Sequence, residues 1–416
     1  MPPPPPAARS ALTSPTTDAG TPLLERIERL LSWRGMLIAW VLLFQWLMLV
    51  YGPSLPTPFL YDDLPNIVTN EDLRADHPLA ALLADHPSSA QFDRRPVGGL
   101  VSLFNFRTAG LNEKLFRVTN LIIHWLAAGA LCLVAVQLAQ RIGKIPYPRL
   151  FAVLLAVLWA VHPIQSTAVI YISQRMESLM TLFFLVSCAC LLNASRRETS
   201  GGWRAASAVA AFLCLLSKEN GAGLPLLLLV LDRLFVAGSW KSIWLRHRLF
   251  YVVLALGWTA ASVWILQGPR VGEWNDVPSL ASPWRYFQTE CHVVLNYLRL
   301  VFWPSPLVFA PVPRVAENWY DWFPHLVVLA GVFGSLSWQA SRKPWIWVPL
   351  LAILLVLAPT SSFIPVPLEP AFDYRMHLPS AGVLALLMIA GWRLGGRVNM
   401  NAGWTLVVAG EHLQWP

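Results

Sequence analysis

Long apolar runs separated by short polar connections dominate this chain. The first run covers 35–51 and reads GMLIAWVLLFQWLMLVY. Runs of this kind approach the roughly 20 residues that a helix needs to cross the hydrocarbon core of a bilayer. Nine further segments have a similar character: 117–139, 150–163, 178–194, 204–217, 221–236, 249–267, 322–340, 345–362 and 379–393. The pattern predicts an all-α integral membrane protein with about 10–12 spans.

The connections between these runs are very unequal, and they set the expected domain organisation. Residues 1–33 begin MPPPPPAARSALTSPTTDAG and lack apolar periodicity, so we expect a disordered cytoplasmic tail rather than a signal peptide. The membrane domain is expected at 34–396, with a large outer loop at 52–116 and another at 268–321. Residues 397–416 are expected to be a tail or a partial span.

The segment 287–303 does not fit a simple series of crossings. It is apolar enough to cross, but counting it would place Arg342 and Lys343 on the outer face. We therefore expect a re-entrant or surface-lying helix, followed by the proline-rich stretch that ends at Pro313. Irregular backbone at membrane depth is tolerated only where it is buried in protein or lines a cavity.

Basic residues cluster in alternate connections, and this pattern predicts the orientation. With the N terminus in the cytoplasm, every inner connection is basic, as the positive-inside rule requires. The acids gather on the other face. The inner basic residues are Arg141, Lys144, Arg149, Arg196, Arg197, Arg204, Lys241, Arg246, Arg248, Arg342, Lys343, Arg393 and Arg397.

Composition agrees with a membrane protein and excludes other classes. Hydrophobic residues make up 56% of the 416 residues and charged residues only 13%, against about 25% charged in a soluble protein. The net charge of +8 is explained by the basic inner connections, so we expect no nucleic-acid partner. The five cysteines lie in or beside apolar runs and are interpreted as small hydrophobic residues.

Two adjacent carboxylates, Asp62 and Asp63, follow the first span in the sequence FLYDDLPNIVTNEDLR. One interpretation is a turn, because Asp is common in loops. The other is chemistry: like charges in contact raise the pKa of one carboxyl group, as a general base requires, or together hold a cation. The residues alone leave both interpretations open.

Cations occupy several of the other outer connections. Arg94 and Arg95 precede an amphipathic stretch, and Arg175 opens a helix where a cation opposes the helix dipole. Arginine offers a fork of donors suited to phosphate, although contact with lipid headgroups would explain Arg95 equally well. His162, which ends the preceding helix, and Glu177, a first-turn charge, are supporting candidates.

Two further clusters complete the predicted site. Lys218 and Glu219 occupy a tight hairpin between two spans, where they could also form a self-contained ion pair. Asp373 and Arg375 precede the last span, together with Glu369 and His377. Because the spans themselves carry few ionisable residues, ion-coupled transport is disfavoured. The outer cations and acids together predict an anion site beside a base.

These motifs, in this order, resemble the membrane half of the transmembrane and tetratricopeptide-repeat O-mannosyltransferases and their bacterial relatives, in the GT-C superfamily. The matching strings are YDDLPNI, RPVGGL, HPIQSTAVIYISQR, LSKENG, YLRLVFWPSPL and PTSSFIP with YRMHLPSAG. The resemblance covers about 35–395. It implies a GT-C-like helical bundle with short surface helices in its first outer loop.

The resemblance also implies roles for individual residues. Asp62 or Asp63 would be the catalytic base, and Arg175 and Arg375 match arginines of the family. Lys218 and Glu219 match its Lys-Glu hairpin. Two departures are noted: the 416 residues contain no tetratricopeptide repeats, and the sequence before the last span reads DYRMHLPS rather than Glu-Arg followed by Tyr-Leu-Pro-Ser.

The resemblance therefore predicts a glycosyltransferase that moves mannose or a similar hexose from a polyprenyl-phosphate-linked donor to an acceptor hydroxyl, with inversion. The acceptor would be Ser or Thr of a protein, or alternatively a glycolipid or polysaccharide; a lipid-linked sugar flippase is the alternative from another class. Arg95, Arg175, Lys218 and Arg375 would bind the donor phosphate. No cofactor is expected, although a divalent metal at the paired aspartates stays open. The expected location is a bacterial inner membrane, with the site facing the periplasm.

Overall fold

The computed structural model describes residues 22–75, 95–195, 200–266, 282–366 and 371–395. Within these ranges the chain is all-α and contains no strand, as the apolar pattern predicts. Arg94 and Glu369 lie outside the described residues. The α-helices are α1 (Leu23–Leu30), α2 (Trp33–Tyr51), α3 (Pro96–Ala109), α4 (Glu113–Ile142), α5 (Pro148–Val161), α6 (Ser166–Ile170), α7 (Arg175–Asn193), α8 (Ser200–Leu215), α9 (Leu224–Leu231), α10 (Trp240–Leu266), α11 (Pro283–Phe302), α12 (Trp319–Arg342), α13 (Trp347–Leu357) and α14 (Pro379–Gly395).

Every predicted span coincides with helical structure, but few of the helices could span alone. Among the described residues, four helical segments are long and apolar enough to cross a membrane: Trp33–Ser54, Glu113–Ile142, Ile172–Asn193 and Trp319–Arg342. A fifth is possible if Pro148–Val161 and Pro163–Ile170, bent by 56°, form one span. The other predicted spans form helices that are shorter, broken or less apolar, and the expected 10–12 crossings stay a prediction.

The centre of the bundle is formed by α4, α5, α7 and α8, which pack against one another. The Asn112 side chain accepts a hydrogen bond from the backbone N–H of Leu115 at the start of α4, and Gly143 ends the helix with a left-handed φ of 65°. A glycine adopts this conformation without steric cost. With 30 residues α4 is about 45 Å long, long enough to link the two ends of the bundle.

A tryptophan pair fastens α2 to α4. The rings of Trp40 and Trp125 stack with centroids 3.8 Å apart. The indole N–H of Trp40 donates to the carbonyl oxygen of Trp125 at 3.1 Å, and the indole N–H of Trp125 donates to the carbonyl oxygen of Trp40 at 2.7 Å. Gly129 lies one turn along α4, where a Cβ atom would come within 2.6 Å of Trp40 Nε1. The ring pair therefore requires glycine at this position.

The predicted disordered tail needs correction at its end. Residues Leu23–Leu30 form α1, and the Glu28 carboxylate accepts hydrogen bonds from the backbone N–H groups of Arg149 and Leu150 at 3.1 and 2.9 Å. These N–H groups have no partner within their own helix because they belong to the first turn of α5. The sequence of the tail gives no sign of this contact, because the capped helix lies more than 100 residues away.

The segment expected to be re-entrant or surface-lying forms the regular helix α11, which packs beside α12. Its buried residues Tyr286, Glu290, Val293 and Tyr297 recur every three or four positions, while Trp284 on the other side is exposed. This spacing places the buried side chains on one stripe. α11 is not among the helices that are apolar enough to span, and its relation to the membrane stays a prediction.

We predict that Gly129→Ala lowers the stability of the bundle. Alanine raises helix propensity by up to about 1 kcal/mol over glycine, but overpacking against the Trp40 ring should cost about 1–3 kcal/mol. Gly331→Ala in α12 is the matched control, because a Cβ atom there meets nothing within 4 Å. Thermal unfolding of both purified variants measures the difference. A lower melting temperature for the control than for Gly129→Ala would contradict the packing role.

Candidate active site

The loop after α2 presents two adjacent carboxylates in different environments. Tyr61 has a left-handed φ of 47°, which is uncommon for a residue with a side chain. After this bend Asp63 is fully buried, whereas Asp62 remains partly exposed. Residues held in such backbone conformations are concentrated at functional sites. The bend therefore separates one carboxylate that belongs to the interior from one at the surface.

Asp63 is a buried acceptor of hydrogen bonds. Its Oδ1 accepts from the backbone N–H and the hydroxyl of Ser173, at 2.8 and 2.6 Å. Its Oδ2 accepts from the backbone N–H of Leu60 at 3.1 Å. Burial raises the pKa of Asp63, and these hydrogen bonds together with the charge of Arg117 oppose the rise. Asp63 thus ties the loop to the segment before α7.

Asp62 makes a different contact. The phenol of Tyr171 donates a 2.6 Å hydrogen bond to Asp62 Oδ2, and the backbone N–H of Asp62 donates to the same phenol oxygen at 3.0 Å. This reciprocal pair fixes the orientation of the carboxylate while its side chain stays partly exposed. A general base must reach the proton that it removes, so Asp62 is better placed for this role than the buried Asp63.

The segment Tyr171–Glu177 joins the predicted clusters. Tyr171 contacts Asp62, and Ser173 contacts Asp63. Further along, Gln174 and Glu177 both bind Lys218, whose Nζ lies 3.0 Å from Gln174 Oε1 and 2.9 Å from Glu177 Oε2. Seven consecutive residues therefore bring together the paired aspartates and the Lys-Glu hairpin, which are more than 150 residues apart in the sequence.

Two cations meet at the Lys-Glu hairpin, Arg95 from the first loop and Lys218 from the hairpin itself, and both are paired with acids. Arg95 makes a two-pronged contact with Glu219, with Nε 3.0 Å from Oε2 and Nη2 2.5 Å from Oε1. Its side chain retains 24% exposure, whereas Lys218 retains 6%. Lys218 Nζ also lies 4.5 Å from the ring centroid of Tyr374. Of the two, Arg95 is the more accessible to an anion, and Lys218 is held in the interior.

Arg175 is enclosed by protein, in contrast to the predicted role in phosphate binding. It is fully buried, and its guanidinium donates to Ser102 Oγ and to the backbone carbonyls of Phe116 and Ile172, each at 3.3 Å. The same group stacks 5.0 Å from the centroid of the Phe116 ring. Its geometry is that of a residue that holds α3, α4 and α7 together.

Arg375 is also buried, next to Tyr374 in the sequence. Its Nη1 donates to the carbonyl oxygen of Thr360 at 2.7 Å and to the hydroxyl of Tyr286 at 3.3 Å, and it lies 3.7 Å from Glu290 Oε1. Burial raises the pKa of Asp373, which is 3% exposed, to about 6. The last cluster is therefore connected to α11 as well as to the hairpin.

His162 does not join these contacts. Its ring nitrogens bind the carbonyl of Val301 and the backbone N–H of Ile164, at 3.0 and 3.2 Å, so it supports the break between α5 and α6. Sequence reasoning missed Tyr171, Arg117, Tyr286 and Glu290. Tyr171 lies inside the quoted string HPIQSTAVIYISQR, but tyrosine in an apolar stretch gives no local sign of a carboxylate partner.

No group of three or more His, Cys, Asp or Glu side chains in the described residues is arranged to hold a metal ion. Both oxygens of Asp63 already accept hydrogen bonds from protein donors. A divalent ion at the aspartate pair would have to displace these donors or use Asp62. The prediction that the site needs no cofactor remains a prediction.

Comparison with known proteins finds relatives with one common description. Human protein O-mannosyl-transferase TMTC1 is 32% identical over 180 residues, which are 41% of this chain and 19% of the relative. A protein O-mannosyl-transferase of Caenorhabditis elegans is 24% identical over 360 residues, which are 82% of this chain and 49% of the relative. The chain is similar to protein O-mannosyl-transferases. This confirms the family resemblance drawn from the motifs.

The mouse protein O-mannosyl-transferase TMTC4 adds a third relative, 26% identical over 204 residues, which are 42% of this chain and 26% of the relative. The matched part thus spans less than half the length of each of these three relatives. No protein-family model matches the chain, and no solved structure matches it.

We predict that Asp63→Asn lowers stability more than Asp62→Asn. The amide of asparagine turns one donor toward the N–H groups of Leu60 or Ser173, which leaves a buried donor without an acceptor and should cost about 1–3 kcal/mol. Asp62 is partly exposed, so water can replace its contacts. Thermal unfolding followed by tryptophan fluorescence measures both. Equal shifts in melting temperature would contradict the different roles assigned to the two carboxylates.

Asp373 should make stability fall as the pH rises. Its folded pKa of about 6 exceeds the ordinary value of 3.8, so the folded protein holds the proton more tightly and loses this contribution between pH 4 and 6. The free energy of unfolding of Asp373→Asn, relative to that of the unaltered protein, should therefore rise by roughly 2 kcal/mol as the pH increases from 4.5 to 7.5. Parallel melting curves at several pH values test this. A constant difference across the range would refute the shift.

Proposed function

We propose that this chain is a membrane glycosyltransferase that transfers mannose or a similar hexose to a hydroxyl group of an acceptor protein. The named relatives support this proposal, because each is described as a protein O-mannosyl-transferase. The donor would be a polyprenyl-phosphate-linked sugar, with its isoprenoid chain among the helices. The site would lie on the outer face of the membrane, opposite the basic connections.

The observation that carries the proposal is the environment of Asp62. It is an oriented, partly exposed carboxylate at the edge of a set of buried charges, and the Tyr171 hydroxyl fixes one of its oxygens. In the proposed reaction Asp62 removes the proton from a Ser or Thr hydroxyl as that oxygen attacks the anomeric carbon. The bond from this carbon to the phosphate oxygen breaks on the opposite side, which inverts the configuration.

The leaving lipid phosphate would be stabilised by the nearby cations. Arg95 is the most accessible of the predicted phosphate ligands, and its pairing with Glu219 through Nε and Nη2 fixes the orientation of its guanidinium group. Lys218 contributes positive charge from the interior, where Glu177 and Gln174 bind its ammonium group. Arg375 and Arg175, enclosed by protein, would position the surrounding segments rather than touch the phosphate. Fixed charges of this kind often make the largest contribution to catalysis.

We predict that Asp62→Asn abolishes sugar transfer while leaving expression and donor binding intact. A positioned general base accelerates proton transfer by roughly 10²–10⁴-fold, so the loss should be of this size. Full-length purified protein would be incubated with polyprenyl-phosphate mannose and an acceptor peptide, and mass spectrometry would detect the new glycosidic bond.

The matched control is Glu71→Gln, which removes an exposed acid from the same loop. It should retain activity. If Asp62→Asn and the double variant with Asp63→Asn both transfer sugar at the rate of the unaltered protein, Asp62 is not the base. Donor consumption without any glycosylated peptide, but with a glycosylated lipid or polysaccharide, would reassign the acceptor. Movement of the donor across a vesicle bilayer without a new glycosidic bond would favour a flippase.

A further inference from the structure

An apolar cavity lies inside the bundle, in the half remote from the paired aspartates. It lies between α4, α5, α7, α9, α13 and α14, and its empty space is about 840 Å³ when the open solvent at its mouth is included. The residues around it are apolar throughout, among them Leu131, Leu155, Phe184, Leu231 and Ile389. A cavity lined in this way does not hold ordered water and favours hydrocarbon. We call it the basal cavity.

A layer of buried side chains closes the basal cavity toward the candidate active site. His124 and His377 are joined by a 3.0 Å ring contact, and the indole N–H of Trp159 donates to the His377 carbonyl at 2.7 Å. The hydroxyl of Thr181 lies 2.9 Å from the other His377 nitrogen. All four side chains are fully buried. This buried layer lies between the basal cavity and the candidate active site, so we expect a ligand to enter the cavity away from the paired aspartates.

The opposite end is lined by cations. A second, smaller cavity adjoins the basal cavity and shares Ile142, Phe151 and Trp345 with it, and Lys144 and Arg393 line its rim. Both of these basic side chains are exposed. α4 extends about 37 Å between Arg117, beside the candidate active site, and Ile142 at this rim. The rim and the aspartate pair are thus at opposite ends of the bundle.

Trp345 adds a donor that lacks a partner. It lines both cavities, and its indole N–H is buried without a hydrogen-bond acceptor. The guanidinium of Arg393 lies 5.2 Å from the centroid of its ring. A buried donor without an acceptor costs free energy, so an acceptor oxygen supplied by a ligand would be favoured here. A hydrocarbon chain alone provides no such oxygen.

We propose that the basal cavity binds one chain of an anionic phospholipid, with the phosphate between Lys144 and Arg393 and an ester or phosphate oxygen accepting from Trp345. The apolar lining selects the chain, and the rim cations select the negative headgroup. This site is separate from the candidate active site, and it does not depend on the proposed glycosyl transfer. Two cations near a membrane surface should favour an anionic over a zwitterionic headgroup by roughly tenfold or more.

Native mass spectrometry of the full-length chain tests this. The protein would be equilibrated with equimolar phosphatidylglycerol and phosphatidylcholine, then stripped by detergent, and the retained lipid counted. We expect one phosphatidylglycerol to be retained in preference to phosphatidylcholine. In the double variant Lys144→Gln/Arg393→Gln the ratio of retained phosphatidylglycerol to phosphatidylcholine should fall roughly tenfold. Lys241→Gln/Arg246→Gln removes two exposed cations from another basic connection and should retain it.

Further arms separate the sources of the signal. Ala385→Phe, which fills the basal cavity, should reduce retention of both lipids, with size-exclusion profiles confirming an intact protein. Inorganic phosphate at millimolar concentration should not displace the lipid. Equal retention of the two lipids, an unchanged preference in the Lys144 and Arg393 double variant, or displacement by inorganic phosphate would each overturn the proposal. Stoichiometric displacement by undecaprenyl phosphate would overturn it by assigning the cavity to an isoprenoid chain.

Discussion

The cost of burying charge within an apolar bundle governs the arrangement of this protein. An ionised side chain without partners is strongly unfavourable in such surroundings, so buried charges are found paired or hydrogen-bonded. Lys218 meets Glu177 and Gln174, and Arg375 meets Tyr286, Thr360 and Glu290. These contacts connect segments far apart in the sequence. The need to satisfy charge therefore also sets the positions of the loops that carry it.

The same constraint separates the two aspartates. Asp63 enters the interior, where Ser173 and Leu60 supply donors, and Asp62 stays at the edge with Tyr171. A carboxylate that is enclosed by donors anchors the backbone, whereas one that retains exposure can meet a substrate. Adjacent residues of one type thus acquire different roles because the left-handed bend at Tyr61 directs them to different surroundings.

The bundle has two chemically distinct ends joined by long helices. One end gathers acids and cations around Tyr171–Glu177, and the other has an apolar cavity whose rim carries Lys144 and Arg393. The buried layer of His124, Trp159, Thr181 and His377 separates them. α4 contributes to both ends, with Arg117 near Asp63 and Ile142 at the rim. This division would let the proposed lipid site at one end exist without direct contact with the proposed reaction at the other.

The sequence by itself determined the all-α class, the positions of the helices and the candidate acids and cations. Apolar runs and charge clusters are local properties, so they can be identified in the sequence without any knowledge of tertiary contacts. The tertiary structure decided that Asp62 differs from Asp63, that Arg175 is enclosed and that Leu23–Leu30 docks onto α5. It also disclosed Tyr171 and Glu290 as partners. These features depend on contacts between distant segments, and the burial of a side chain follows from what packs against it rather than from its own neighbours in the chain.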